Sequence, residues 1–365
     1  MRKKTYTACS RMAAIFLAAV LMLTGCGTGA GESSSTGSKE TQTTEADDTK
    51  TEGQQENDTA DTEETDDAKE TESTSDSETS YLTDAPDAPE VSGLNCQGKL
   101  KLDYAECYDV YYYENDYQLI DVHDSAQYLL VPEGAEAPEG LDDSIIVLQK
   151  PLDKIYLAAS STMALFRALD SMDNIKMSGI DASGWYIEEA KQAMEDGKIQ
   201  FAGKYSEPDY EMLVDQDCDI AIESTMILHT PKVQEMIEDL DIPVFIDRSS
   251  YESHPLGRTE WIKAYAAMLN KEDAADTFFD TQTEVIGSLK DFKNTGKTVA
   301  YFFVNTDGTV VVRSSSDYIP KMIDIAGGKY IFQDLKNTKS KSASVELSME
   351  EFYAKAKNAD YLIYN

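Results

Sequence analysis

Histidine, cysteine, tryptophan and positive charge are all scarce in this 365-residue chain, and each scarcity excludes something. Three histidines (His123, His229, His254) are too few for a histidine-rich metal centre. Lys and Arg number 32 against 68 Asp and Glu, a net charge of −36, which argues against nucleic acid or an anionic membrane surface as partner. No G-x-x-x-x-G-K-[ST], H-E-x-x-H or G-x-S-x-G occurs, so phosphate-loop, zincin and serine-hydrolase chemistry lack sequence support. The apolar run at 12–23 is 12 residues long, short of the about 20 needed to cross a bilayer. Of five cysteines, Cys9 and Cys26 belong to the N-terminal segment and Cys218 precedes a buried strand. Cys96 and Cys107 are close in sequence, but nothing else argues for a bridge, and both are expected to be reduced.

What is present begins with an export signal. Arg2, Lys3, Lys4 and Arg11 form a basic region ahead of that short apolar run, which ends in Leu23-Thr24-Gly25-Cys26. This end resembles a bacterial lipobox, in which the cysteine receives a diacylglycerol and becomes the new N-terminus; Cys26 is therefore the expected lipidation site. Residues 27–90 carry 20 acids and three lysines among Ser, Thr, Gly and Gln. Too little apolar surface is available there to offset the entropy of ordering, so a disordered tether is expected. As a flexible chain its 64 residues would span roughly 40–48 Å, and charge repulsion extends it. The remainder, 91–365, retains a net charge of −23 but is rich enough in Tyr, Ile, Leu and Val to build a core.

Residues 108–122 read as an exposed hairpin turning at Glu114-Asn115-Asp116, with tyrosines on a half-buried face. From Ile145 onward, short apolar runs (155–159, 175–180, 219–222, 242–246) alternate with helical patterns (160–169, 185–196, 211–214, 233–240). That alternation predicts a mostly parallel sheet covered by helices. Two helical stretches follow, 258–269 and a long one starting from Asn270 as N-cap and running to about Phe292, roughly 33 Å. Strands at 298–304, 310–313 and 361–364, with helices at 318–326 and 349–357, form a second lobe. The fold class is α/β: two lobes with mostly parallel sheets joined by a single long helix. The boundaries are a signal at 1–26, a tether at 27–90, an N-terminal lobe at 91–257, linking helices at 258–296 and a C-terminal lobe at 297–365.

In such sheets ligands bind beyond the carboxyl ends of the strands. That rule singles out Ser160, Ser161 and Thr162 after the first strand, and Trp185 and Tyr186 after the second. Glu223, Ser224 and Thr225 follow the third, and Tyr251 and His254 the fourth. Trp185 and Trp261 offer aromatic faces to a large flat or chelated ligand. Arg258 and Arg313 are candidates for ligand anions.

The segments AGKYSEPDYE (202–211), CDIAIESTMILHTP (218–231), SSYESHPLGRTEWIK (249–263), IAGGKYIFQD (325–334) and SMEEF (348–352) resemble the iron-complex and cobalamin class of substrate-binding lipoproteins of bacterial ABC importers. The resemblance covers most of residues 100–365 and the lipobox. It implies two lobes bridged by a helical backbone, a ligand (ferric siderophore, cobalamin or haem) in the cleft, and a permease and its ATPase as partners. It further implies that Glu211 and Glu350, one at the tip of each lobe, meet arginines of the permease. Relatives continue past the strand at 361–364, whereas this chain stops at Asn365, so the C-terminal lobe is expected to be incomplete. The implied protein is a monomer with no catalytic residue, resident cofactor or metal, and it touches the membrane through its lipid alone. A surface lipoprotein enzyme or adhesin on the same fold is the alternative.

Overall fold

The computed structural model describes residues 82–289, 291, 293–336 and 343–365, all within one compact unit spanning 72–365. The export signal, Cys26 and the tether up to residue 81 lie outside the described residues. Among the described residues, no helix is long and apolar enough to cross a membrane.

The chain first forms a six-stranded sheet: β1 (Leu82–Thr83), β2 (Cys96–Leu100), β3 (Tyr108–Tyr113), β4 (Gln118–Val122), β5 (Gln127–Val131) and β6 (Ile145–Gln149), lying side by side in that order. All neighbours are antiparallel except β5 and β6. Leu82 pairs with Leu100, and Ala85 and Ala88 pack against the core around Val91, so the folded region starts earlier than the tether boundary at 90. The tyrosine-rich hairpin is not exposed. Tyr108, Val110, Ile120 and Val122 face the main core, while Tyr111, Tyr113 and Leu119 pack with Val91 on the opposite face. Burial on both faces is why YDVYYY lacks a clean polar alternation.

A second sheet is built from β7 (Ile155–Leu157), helix α1 (Met163–Ala168), β8 (Ile175–Ser178), α2 (Glu188–Glu195) and β9 (Gln200–Phe201). After a small hairpin, β10 (Gly203–Lys204) and β11 (Glu207–Pro208), come α3 (Tyr210–Asp215), β12 (Ile220–Ser224), α4 (Pro231–Glu238) and β13 (Val244–Asp247). The order is β13-β12-β7-β8-β9, parallel throughout. Ile155, Leu157, Ile220, Ile222 and Phe245 fill one face, and Tyr156, Ala221, Val244 and Ile246 the other.

Three helices follow: α5 (Pro255–Glu260), α6 (Ile262–Leu269) and α7 (Glu272–Ser288). Asn270 does not open the long helix. It ends α6 in the left-handed region (φ 55°), a conformation asparagine tolerates at a helix C-terminus. The long helix α7 has 17 residues, about 26 Å, shorter than the pattern predicts. The buried Lys150 ammonium donates to Gln118 Oε1, the Ala267 carbonyl and Asn270 Oδ1, tying the first sheet to this helical layer.

The last sheet is mixed. It contains β14 (Lys297–Val304), β15 (Val310–Arg313), then after α8 (Tyr318–Ile325) the strands β16 (Gly328–Tyr330) and β17 (Ser344–Leu347), and after α9 (Met349–Ala356) β18 (Tyr361–Tyr364). β14 pairs parallel with β16 and β18 and antiparallel with β15, which pairs antiparallel with β17. Parallel pairing thus dominates only the central sheet. The core of this lobe is Val299, Val310, Val312, Ile323, Phe332 and Phe352, whereas the side chains of β18 are exposed.

Candidate functional site

Because β7, β8, β12 and β13 run in one direction, the chain leaves all four at the same edge of the sheet. After β7, Ser160, Ser161 and Thr162 form a single 3-10 turn. They do not cap α1 with their side chains: Thr162 is buried and its hydroxyl donates to the Ala159 carbonyl at 2.6 Å, while Ser160 and Ser161 are exposed. After β8, Asp181 accepts from the Ser183 amide and hydroxyl, and the turn delivers Tyr186 into solvent with 98% of its surface exposed. After β12, Ser224 Oγ accepts from the Met226 amide, opening a 3-10 turn that leaves Met226 and Leu228 exposed and Thr225 half-buried. After β13, Tyr251 is 44% exposed, with the Arg248 guanidinium 4.8 Å above its ring. Large apolar side chains held in water at one edge of a parallel sheet suit ligand contact.

Both tryptophans belong to the core. Trp261 has no exposed surface; it packs on Tyr108 and Phe245, and its indole N–H donates to Glu252 Oε1 at 2.9 Å. Trp185 is 8% exposed and donates to Ser178 Oγ at 3.3 Å. Neither offers a ring face to a ligand, because proximity in sequence to the strand ends does not set the direction of the side chain. The carboxylates at this edge fare differently from one another. Asp247 is buried and accepts from the Ser249 amide and hydroxyl and from the Tyr265 hydroxyl; burial nevertheless raises its pKa, against those bonds and the field of Arg258. Glu223 is also buried, yet among the described residues neither of its oxygens has a partner, and burial pushes its pKa up to about 8.

The segment 249–263 is chiefly a clamp. Glu260 Oε1 accepts from the Asp103 amide at 2.9 Å, and Oε2 from the Tyr104 and Ala105 amides, both at 2.8 Å. Glu252 accepts from the Glu106 and Cys107 amides and from Trp261. Two buried carboxylates thus hold five consecutive backbone N–H groups of the strap 103–107. Gly257 lets the strap lie on α5: a Cβ there would be 2.8 Å from the Tyr104 carbonyl oxygen. His254 caps α5 through Nδ1, which accepts from the Leu256 amide at 3.1 Å, and its ring stacks on Tyr104. Burial, with Lys321 beside it, lowers its pKa and so favours the neutral ring this cap requires. Cys96, Cys107 and Cys218 are unbridged.

Arg258 and Arg313 converge on the junction between α5 and the last sheet. The Arg258 guanidinium lies 4.2 Å from the ring centroid of Tyr318 at the start of α8. Arg313 pairs with Asp317 at 3.9 Å and contacts Ser344 Oγ at 3.3 Å. Burial raises the pKa of Asp317, while its bond from the Ile319 amide and the fields of both arginines oppose the rise. Asp317, Tyr318 and Tyr104 were not singled out by the sequence pattern; the one available signal was Asp317 as N-cap of an apolar helix. Arg258→Ala is expected to cost about 1–2 kcal/mol in urea unfolding, and Arg258→Lys distinctly less; no change in either would mean the contact carries nothing. Glu211 is exposed in the first turn of α3, behind the Asp209 cap. Glu350 is exposed in the first turn of α9, behind a capping box formed by Ser348 and Glu351.

The model of the periplasmic binding protein family matches residues 158–365. The chain belongs to the periplasmic binding protein family. The members of this family are solute-binding proteins rather than enzymes. The family match begins just after β7, so the six-stranded sheet precedes it. Among curated relatives, the uncharacterized lipoprotein MJ0878 of Methanocaldococcus jannaschii is 27% identical over 241 residues, 63% of this chain and 56% of its own length. The uncharacterized lipoprotein MJ0872 of the same organism is 24% identical over 271 residues, 71% of this chain and 67% of that one. This chain therefore spans little more than half of the first relative. Among solved structures, the periplasmic heme-binding protein HutB of Vibrio cholerae aligns with 57% of this chain and 75% of its own, at 16% identity and TM-score 0.46. The petrobactin-binding protein YclQ of Bacillus subtilis aligns with 58% and 70%, at 18% identity and TM-score 0.46.

Proposed function

We propose that the protein is an extracytoplasmic solute-binding subunit of an ABC importer, anchored through Cys26, that captures an iron chelate or corrinoid between its two lobes and delivers it to the permease. Family membership and the naming of two relatives as lipoproteins support the coarse reading. The observation that carries it is the edge of the central sheet, where Tyr186, Met226, Leu228 and Tyr251 are exposed on the segments that follow the parallel strands, as are Ser160 and Ser161. Such a surface, apolar with a few polar groups, suits the ligand of a chelate or macrocycle size. Trp185, Trp261 and Thr162 are left out of this ligand surface, and the ligand is a ferric siderophore, haem or cobalamin. Glu211 and Glu350 serve as the docking carboxylates, each on an exposed first turn where guanidinium groups can reach it.

The test is transport. In cells dependent on this protein for uptake of an iron chelate, Glu211→Arg with Glu350→Arg is expected to cut uptake at least tenfold while the Kd for the chelate stays within about twofold. Unchanged uptake would overturn the docking assignment.

A further inference from the structure

This inference rests on the import reading above and concerns the charge of the ligand. The fold supplies donors to nearly every buried acid near the strand ends: Asp247 has Ser249 and Tyr265, Glu252 has two amides and an indole, and Glu260 has three amides. Glu223 is the exception. Its strand position pairs with Ile246 of β13, and the titratable groups facing it are the phenols of Tyr156 on β7 and Tyr210 on α3. Tyr156 gives its hydroxyl hydrogen to the Gly203 carbonyl instead. No ionised group from β7, β13, α3, α4 or the 225–229 turn shifts its titration; burial alone does. A buried carboxyl without partners costs several kcal/mol, and such violations of local rules concentrate at functional positions.

Among the described residues, four cations of the same region have aromatic or acidic neighbours, although Arg248 Nε itself is buried without a hydrogen-bond partner. Arg248 lies over Tyr251 and reaches Asp124, Arg258 lies over Tyr318, Arg313 pairs with Asp317, and Lys321 with Asp324. Three of the parallel strands meanwhile carry an acid at or near their carboxyl ends: Asp247 is the last residue of β13, Glu223 the last but one of β12, and Asp181 follows β8 by three residues. We propose that Glu223 is the recognition carboxylate of this edge, pairing with a cationic ammonium or amidinium group of the bound ligand, so that the protein prefers a positively charged iron complex to an anionic one. Admitting that group to the buried Glu223 requires a shift of the 225–229 turn that follows it, in which Ile227 is buried and Met226 and Leu228 are exposed. On pairing, the carboxyl proton of the free protein leaves to solvent and the carboxylate remains with the cation.

The experiment is calorimetric titration of the mature chain with three iron complexes of graded charge. These are ferrioxamine B, whose pendant ammonium makes it cationic, the neutral trihydroxamate ferrichrome, and a ferric tris-catecholate trianion. Each is run at pH 6, 7 and 8, in two buffers of different ionisation enthalpy. Ferrioxamine B is expected to bind at least tenfold tighter than the neutral complex. Its affinity should rise by up to about tenfold per pH unit below pH 8, with close to one proton released per ligand at pH 6. Glu223→Gln, matched in shape, should fold with an unchanged circular dichroism spectrum and lose both the preference and the pH dependence. Tight binding of the neutral or anionic complex without preference for the cation, or a Glu223→Gln variant that binds like wild type, overturns this inference and leaves the import reading standing. Failure of all three complexes, and of haem and cobalamin, overturns both.

Discussion

Glu260→Ala is expected to lower the unfolding free energy by about 3–6 kcal/mol, among the largest effects any single substitution in this protein would have. The carboxylate accepts three backbone N–H groups, from Asp103, Tyr104 and Ala105, and is itself fully buried. Removing it strands those three donors, each of which costs about 1–3 kcal/mol when desolvated without a partner. Lys263, which reaches Glu260 at 3.6 Å and Asp276 at 3.4 Å, would lose one of its two anions as well. Glu260→Gln keeps one carbonyl oxygen and should cost roughly half as much. Urea unfolding of the mature chain measures both. A cost below about 1 kcal/mol for the alanine variant would mean that water or a rearranged strap satisfies the amides, and that the clamp is not what fixes 103–107.

The second large effect depends on pH. Glu223 titrates near 8 in the folded protein against an ordinary glutamate value of 4.5, and the cause is burial. Between those values the folded protein holds a proton that the unfolded chain has released, so stability falls as pH rises from about 5 to 8. The slope approaches 1.4 kcal/mol per pH unit, and the whole window amounts to several kcal/mol. Glu223→Gln carries no such proton. Its melting temperature should match wild type near pH 5 and exceed it by several degrees at pH 8, in the absence of ligand. Parallel curves for the two proteins across pH 5–8 would show that Glu223 has a partner the account lacks. His254 moves the opposite way, since burial lowers its pKa, but it is only half-buried and its share is small.

The central sheet was legible because parallel strands buried on both faces leave short apolar runs, such as those at 155–159 and 219–222, between helices with polar starts. The six-stranded sheet was legible only as its central hairpin. Its remaining strands are short and flanked by irregular chain: β2 (CQGKL) is mostly polar or small, and β5 and β6 are near-continuous apolar runs, so no period distinguishes them. The strand ends located the candidate site, since topology alone puts Ser160, Tyr186, Glu223 and Tyr251 on one edge. Direction of side chains was the unreadable part. Trp261 sits one residue beyond α5, yet its indole turns inward to Glu252, whose other bonds go to amides of residues 106 and 107. Partners of that kind leave no trace in residue type, because every residue but proline carries a backbone N–H. For the same reason the clamp in SSYESHPLGRTEWIK read as a ligand segment: its acids are spaced for a strap 145 to 157 positions away. The position of Glu223 was readable, whereas its want of a partner is a property of the packed fold.

The most direct measurement is equilibrium binding of cobalamin, haem and a set of ferric siderophores to the mature chain by isothermal titration calorimetry, each siderophore with its iron-free form as control. Saturable one-to-one binding of one class at micromolar affinity or tighter, with at least tenfold weaker binding of the iron-free form if the class is a siderophore, is the result expected of an importer's capture subunit. Flat titrations with all three classes from a folded protein would contradict it.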